Sequence, residues 1–430
     1  MTSRPTQHRP AAAWRLALPV LLGTLAAALA PAVLAQSQPY YLGLSQTLGH
    51  ETNLYRIGNQ DVLPAGLRKA DVVSSTALFG GVDQAFGRQR VYGSATLRAN
   101  RYQANSGLNN QGYGLNLALD WATLDRLSGS VSLGASQNLT RFNETNETGT
   151  LETQRNIEQN QQIDAKVRLG VVTRYTAEAS LGLRQRRFSA ASYARSEYDQ
   201  ASASVGLSYR PSNLLRLGAA ARLTQVDYPR YRALGGGAFD PDRLKRSDLD
   251  LTAFWQPSGN SSLSARISPT HSSYDRNTAS DFSGVTGSAS WVWRATGKVK
   301  LSSLLSRDTG QSYDAINQGI LGAGTVDFSR TTTALKLMAD YDFSAKIALS
   351  AHLTHANRDL GRSFNVGGPV IVERGSDNSS TLGLGAKWSP SRSLQVGCDL
   401  STEQRRSNNP ALSTSLNAGS VSCFGQFVLQ

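Results

Sequence analysis

The residues best equipped for chemistry are few and poorly placed for it. His352 and His355 are three apart. In a strand that spacing puts them on opposite faces, so they cannot ligate one metal together. His50 and His271 fall at strand ends or loops. There is no Gly-x-Ser-x-Gly elbow, no His-Glu-x-x-His and no phosphate loop. Asp340 and Glu178 could serve an acid–base site on a barrel wall, but no neighbouring motif selects them. The reading is a non-enzyme without metal or cofactor.

Cys398 and Cys423 are the only cysteines, which fits an oxidising compartment. A final hairpin turning near residues 408–412 sets Leu400 opposite Val421, Cys398 opposite Cys423, Val396 opposite Gly425 and Leu394 opposite Phe427. Directly opposed cysteines on one face of an antiparallel pair are close enough to bridge, so a Cys398–Cys423 disulfide is expected.

The elements that would position these residues follow from alternation. Tyr113, Leu115, Leu117, Leu119 and Trp121 face one way while Asn116, Ala118 and Asp120 face the other. The same period of two runs through Ala203–Tyr209, Leu249–Trp255, Val285–Trp293, Leu335–Tyr341 and Leu382–Trp388. Each series is apolar on one face only. Tight turns rich in Gly, Pro, Asn and Ser lie near Gly87, Leu124, Ser212, Ser258, Gly297, Ser344 and Ser391. Longer polar loops are read between them, at 49–70, 142–157, 229–246, 313–326 and 360–375. Alternating short turns and long loops mark outer-membrane barrels. The fold expected is an all-β, transmembrane, antiparallel up-and-down barrel of about eighteen strands. A solenoid would need a fixed short repeat, which the variable hairpins do not show.

The N-terminus reads as a signal peptide over residues 1–35. Arg4, Arg9 and Arg15 precede the apolar run 16–30, and Val33 and Ala35 suit cleavage before Gln36. The barrel is then expected over 36–430, too soon after the cut for a plug domain. No later stretch has the length of an apolar transmembrane helix.

Six aromatics end strands just before tight turns: Trp121, Tyr209, Trp255, Trp293, Tyr341 and Trp388. They would form one girdle at the periplasmic rim, where an apolar ring with a polar edge is favoured. The opposite face, facing the lumen, would carry Arg98, Lys166, Arg168, Arg184, Arg186, Arg216, Arg222, Arg266, Lys298, Lys300 and Lys336. Fewer acids share it: Asp120, Asp164, Glu178, Asp340 and Asp399. A lipid-facing charge costs about 2–4 kcal/mol at mid-bilayer, so inward is the reasonable assignment. Taking the three leader arginines from the 44 bases leaves 41 against 31 acids. In a secreted chain this excess points to anionic lipid or anionic cargo rather than nucleic acid. A basic lumen would prefer anions, unless the inward acids neutralise it.

The stretch from Tyr40 to Trp121 resembles the EpsL-like outer-membrane proteins of exopolysaccharide biosynthesis operons. The resemblance rests on His50-Glu51-Thr52-Asn53-Leu54-Tyr55-Arg56, Gly87-Arg88-Gln89-Arg90, Asn100-Arg101-Tyr102-Gln103 and Ala118-Leu119-Asp120-Trp121. It implies a passive conduit for a secreted polysaccharide in the outer membrane, served by a periplasmic polysaccharide-export protein. It supplies no catalytic residues. The alternative is a general or anion-preferring diffusion porin for small solutes. The chain also departs from barrels that end in an aromatic, since Phe427 stands three residues before the end.

Overall fold

A computed structural model describes residues 39–429 except 60, 124–125, 143–152, 171–172, 236, 277–280, 310–329, 365–370 and 411. The expected leader, 1–35, lies outside the described residues. Eighteen strands are present among the described residues. They are β1 (Tyr40–Glu51), β2 (Asp71–Phe86), β3 (Gln89–Tyr102), β4 (Asn110–Ala122), β5 (Leu127–Leu139), β6 (Ile157–Leu169), β7 (Tyr175–Phe188), β8 (Tyr198–Ser212) and β9 (Leu215–Gly235). The second half holds β10 (Ala238–Ser258), β11 (Ser261–Tyr274), β12 (Phe282–Arg294), β13 (Val299–Thr309), β14 (Arg330–Asp342), β15 (Ile347–Phe364), β16 (Ile371–Trp388), β17 (Leu394–Ser407) and β18 (Leu416–Leu429).

Every strand pairs antiparallel with its sequence neighbours, and β1 pairs with both β2 and β18. The sheet is therefore a closed barrel. None of the described helices is long and apolar enough to cross a membrane; the crossing is made by strands. Closure leaves no unpaired edge, the condition a sheet must meet in hydrocarbon.

Alternation decides which way each strand faces. On β10, Leu249, Leu251 and Trp255 are exposed on the outside while Asp242, Leu244, Arg246 and Asp248 are buried inside. Above Leu249 the outward residues become Arg243 and Lys245, which pair with Asp227 and Asp275. The outer surface thus changes from apolar to charged along one strand, as it must where hydrocarbon gives way to water.

Tight turns join the strands at the end where Gly87 adopts φ 62°, a left-handed conformation that glycine takes without cost. Prolines disturb the ladder locally. The register shifts between Tyr209 and Ser212, between Trp255 and Ser258, and between Asp240 and Asp242. Those steps contain Pro211, Pro257 and Pro241, which have no N–H to donate to a neighbouring strand.

Two expected loops are mostly strand. Of 229–246, all but the tip at 236–237 belongs to β9 and β10, and 360–375 is entered by β15 to Phe364 and by β16 from Ile371. Polar outward residues suggested loops there, but a strand that rises beyond the membrane is polar on both faces. The expected loop 49–70 begins after Glu51; part of 142–157 and all of 313–326 lie outside the described residues.

In the last hairpin Cys398 faces Cys423, Leu400 faces Val421, Val396 faces Gly425 and Leu394 faces Phe427. The two sulfurs are bonded, and both cysteines lie on the outward face. The bridge closes a segment with a sequence separation of 25, which restricts the unfolded chain by about 3 kcal/mol. Cys398→Ser with Cys423→Ser should therefore lower unfolding stability by up to about 3 kcal/mol and leave the barrel intact. Mass spectrometry of the non-reduced protein should find no thiol open to alkylation; finding two would remove the bridge from the account.

Candidate functional site

The lumen is the candidate site, and its charges are largely matched. Lys166 and Arg168 share Glu178, at 3.7 and 3.1 Å. Arg186 meets Glu158 at 2.9 Å. Lys300 meets Asp340 at 3.9 Å. Across β9 to β13 a buried network joins three arginines to three aspartates. Arg222 contacts Asp250 and Asp248 at 3.0 and 3.4 Å. Arg246 contacts Asp248 and Asp308 at 2.8 and 3.1 Å. Arg266 contacts Asp250 and Asp308 at 3.2 and 3.7 Å. Thr270 donates its hydroxyl to Asp248 (2.6 Å) and Ser268 to Asp250 (2.5 Å). A buried charge is tolerable only when paired and hydrogen-bonded in this way.

The inward acids are more numerous than expected, and these pairs neutralise more of the basic face than alternation indicates. Glu158, Asp248, Asp250, Asp308, Asp377 and Glu403 share the inward parity but were not among the expected inward acids. The alternation that placed Leu249 and Leu251 outside also places Asp248 and Asp250 inside, so the signal was available in the sequence. Lys298 is a second correction. It lies in the turn before β13, exposed, with its ammonium donating to the Phe343 carbonyl at 3.4 Å. The turn is one residue longer than alternation alone suggests, so Lys298 belongs to no strand face.

The other predicted lining residues face inward. The Arg216 guanidinium lies 5.8 Å from the Phe254 ring centre. Lys336 is buried on β14, and Arg184 is on β7. Arg98 is partly buried on β3 between exposed outward neighbours such as Leu97, with no acid partner among the described residues. His352 faces inward and His355 outward, where it meets Ser380. No group of three potential metal ligands occurs among the described residues.

The mouth is built by a segment whose role the sequence did not disclose. After β1 the chain turns in and docks on the inner wall of β17 and β18. Asn53 organises the turn: its amide donates to the carbonyls of Ile57 (2.7 Å) and Asn417 (2.9 Å) and accepts from the Ile57 N–H (3.1 Å). Arg56, at φ 54°, is the only described non-glycine residue with positive φ. That conformation costs roughly 1–2 kcal/mol, and here it aims the guanidinium at Glu403 on β17. Burial pulls Arg56 down to about 10 against the pull of Glu403, so it stays charged at neutral pH.

Glu403 also accepts from Arg141 at 2.9 Å and lies 3.5 Å from Arg405. Arg141 follows β5, six strands around the wall from β17. At about 4.8 Å per strand, that is about 29 Å of wall. Thr140 still bonds to Asn156 beside β6, so Arg141 lies just past the wall ladder, and its ion pair with Glu403 joins two sectors of the mouth that are far apart around the ring. Beneath these charges Leu54, Tyr55, Ile57, Leu108 and Phe142 pack as an apolar cluster, with the Tyr55 and Phe142 rings 4.8 Å apart. Asp71 ties in the following loop by accepting from the N–H groups of Ala104 and Asn105 at 2.9 and 2.8 Å.

At the opposite end, Tyr209, Trp255, Trp293, Tyr341 and Trp388 are exposed on the outer face, and Trp121 is half-buried there. Tyr175 stacks on Tyr209 at 5.0 Å and Trp291 on Trp293 at 5.5 Å. Tyr175 and Trp291 extend the girdle beyond the six aromatics that alternation and turns mark.

No protein-family model matches the chain, and no curated protein sequence matches it. Solved barrels resemble it in shape. OccAB3 of Acinetobacter baumannii is 11% identical with a TM-score of 0.47, covering 91% of this chain and 99% of that one. The outer membrane protein opdK of Pseudomonas aeruginosa is 13% identical, TM-score 0.43, covering 91% and 98%. The FrpB iron transporter of Neisseria meningitidis is 7% identical, TM-score 0.46, covering 91% and 83%. On its own geometry, a closed antiparallel ladder with an apolar outer band and a charged interior, this chain is a membrane-spanning β-barrel of the outer-membrane type.

Proposed function

We propose that the barrel is a diffusion channel for small solutes that prefers anions. The observation that carries this reading is the mouth: a docked segment narrows it and brings Arg56, Arg141 and Arg405 to the single carboxylate of Glu403. Many of the other lumen charges are paired, and the mouth gathers three guanidiniums on one shared carboxylate where a solute enters, with Arg98 on the wall of β3. Positive charge in a low-dielectric constriction concentrates anions. The outward ring of Trp121, Tyr209, Trp255, Trp293, Tyr341 and Trp388 anchors the periplasmic rim in this reading. The polymer conduit implied by the family resemblance is the less favoured reading. It needs a clear path at the mouth, and a segment fixed by a buried ion pair obstructs one.

Two measurements test the channel. In a planar bilayer under a KCl gradient, the protein should conduct with a reversal potential of the sign for chloride over potassium. Arg141→Glu and Arg98→Glu should each lower the chloride preference about threefold. An absence of conductance, or cation preference in the parent protein, would reject the proposal.

Glu403→Gln tests the mouth itself. It removes the carboxylate that three guanidiniums share, a loss of about 3 kcal/mol in docking. Amide exchange over residues 54–58 should accelerate about a hundredfold while the barrel strands stay protected, and single-channel conductance should rise.

A further inference from the structure

The bond between Cys398 and Cys423 does not face water. Both cysteines are exposed on the outward side of the barrel. Below Cys398, Val396 is in register with Trp388 of the girdle. Above it, Leu400 is the last apolar outward residue of β17 before Thr402, Gln404 and Arg406. Cys423 lies between outward Val421 and Phe427 on β18 and is in register with Leu48 of β1. Leu48, Leu384, Leu400 and Val421 are exposed around the pair. The bridge therefore stands within the apolar outer band, against lipid.

That position limits when the bond can form. Thiol–disulfide exchange proceeds through an attacking thiolate and depends on access to the sulfur. A thiolate is a full charge, and hydrocarbon does not hold an unpaired charge. Once β17 and β18 face lipid, free thiols there would stay thiols and a closed bond would stay closed. The hairpin also has a use for an early bond. A slip by one residue exchanges its lipid and lumen faces, but a slip by two keeps both. Val396, Leu400 or Val421 would sit opposite either cysteine without changing the apolar pattern, and Gly419 and Gly425 add no bulk to resist. Such a slip moves β18 by about 7 Å along β17. Because β1 pairs with β18, and Asn53 holds the Asn417 carbonyl, it would carry Arg56 away from Glu403.

We propose that the Cys398–Cys423 bond is a register clamp, installed in water by a disulfide-donating protein before the barrel enters the membrane and sealed by lipid afterwards. The exchange balances. One cysteine thiolate attacks the donor's disulfide and releases one donor sulfur as a thiolate. The second cysteine, also as a thiolate, attacks the mixed disulfide and closes the bond to its partner. The chain loses two protons and two electrons, and the donor takes the electrons and leaves as a dithiol. With the bond in place, the last hairpin has one register when β18 meets β1 and the ring closes. The clamp is independent of what the channel conducts.

The test uses the full-length protein folded from urea into phosphatidylcholine vesicles, with folding read by resistance to unheated dodecyl sulfate. Tris(2-carboxyethyl)phosphine, a charged reductant that stays in water, should open the bond of the inserted barrel about a hundredfold more slowly than that of the urea-unfolded chain. A chain reduced first and then inserted should keep two thiols, counted by alkylation after denaturation, under oxidised glutathione that closes the bond in urea. Equal rates in vesicles and in urea, in either direction, would overturn the sealing and with it the order of events. For the clamp, the oxidised chain should give about threefold more folded barrel than the reduced chain or the Cys398→Ser, Cys423→Ser variant. Equal yields overturn the clamp. A reduced chain that fails to insert at all supports it, and the reductant arm on the oxidised barrel then decides the sealing.

Discussion

Everything in this molecule depends on the hydrogen bonds that join β1 to β18 as well as to β2. A sheet in hydrocarbon cannot leave a row of N–H and C=O groups unpaired, because no water is present to accept them. Closing the ring removes that cost, and it then divides every strand into a lipid face and a lumen face. Leucine, valine and tryptophan take the first by the hydrophobic effect. Whatever remains polar is forced into the second, without regard to whether it has a function there.

The forced concentration of charge explains the internal ion pairs. Arginines 222, 246 and 266 would be costly inside a narrow, partly desolvated space if they stood alone. Asp248 and Asp250 on β10 and Asp308 on β13 match them in number. A net positive composition therefore does not become a uniformly positive channel. At the mouth three guanidiniums share the carboxylate of Glu403, one of them brought there by the segment that follows β1.

The residues that carried the family resemblance have a physical occupation. Asn53 and Arg56 dock the mouth, Leu54 and Tyr55 build the apolar cluster below it, and Tyr102 packs against that cluster. Gly87 makes the first turn, and Arg90 pairs with Asp83 at 2.6 Å beside it. Such residues are constrained by how one barrel closes its mouth and turns its strands. That constraint is compatible with many solutes, which is why the motif speaks to architecture more directly than to cargo.

Alternation, turn residues and strand count were enough to read the barrel, the orientation of most strands and the register of the last hairpin, including the opposition of Cys398 and Cys423. These are properties of the backbone period and of neighbours joined by a short turn, so they are local and written in order along the chain. Applied more evenly, the same period would have found Asp248, Asp250 and Glu403. The contact of Arg141 with Glu403, six strands away, and the turn of Arg56 into the lumen have no such signature. They arise only when the ring closes and brings distant segments to one interior, where long-range contact and excluded volume, not periodicity, determine what touches what.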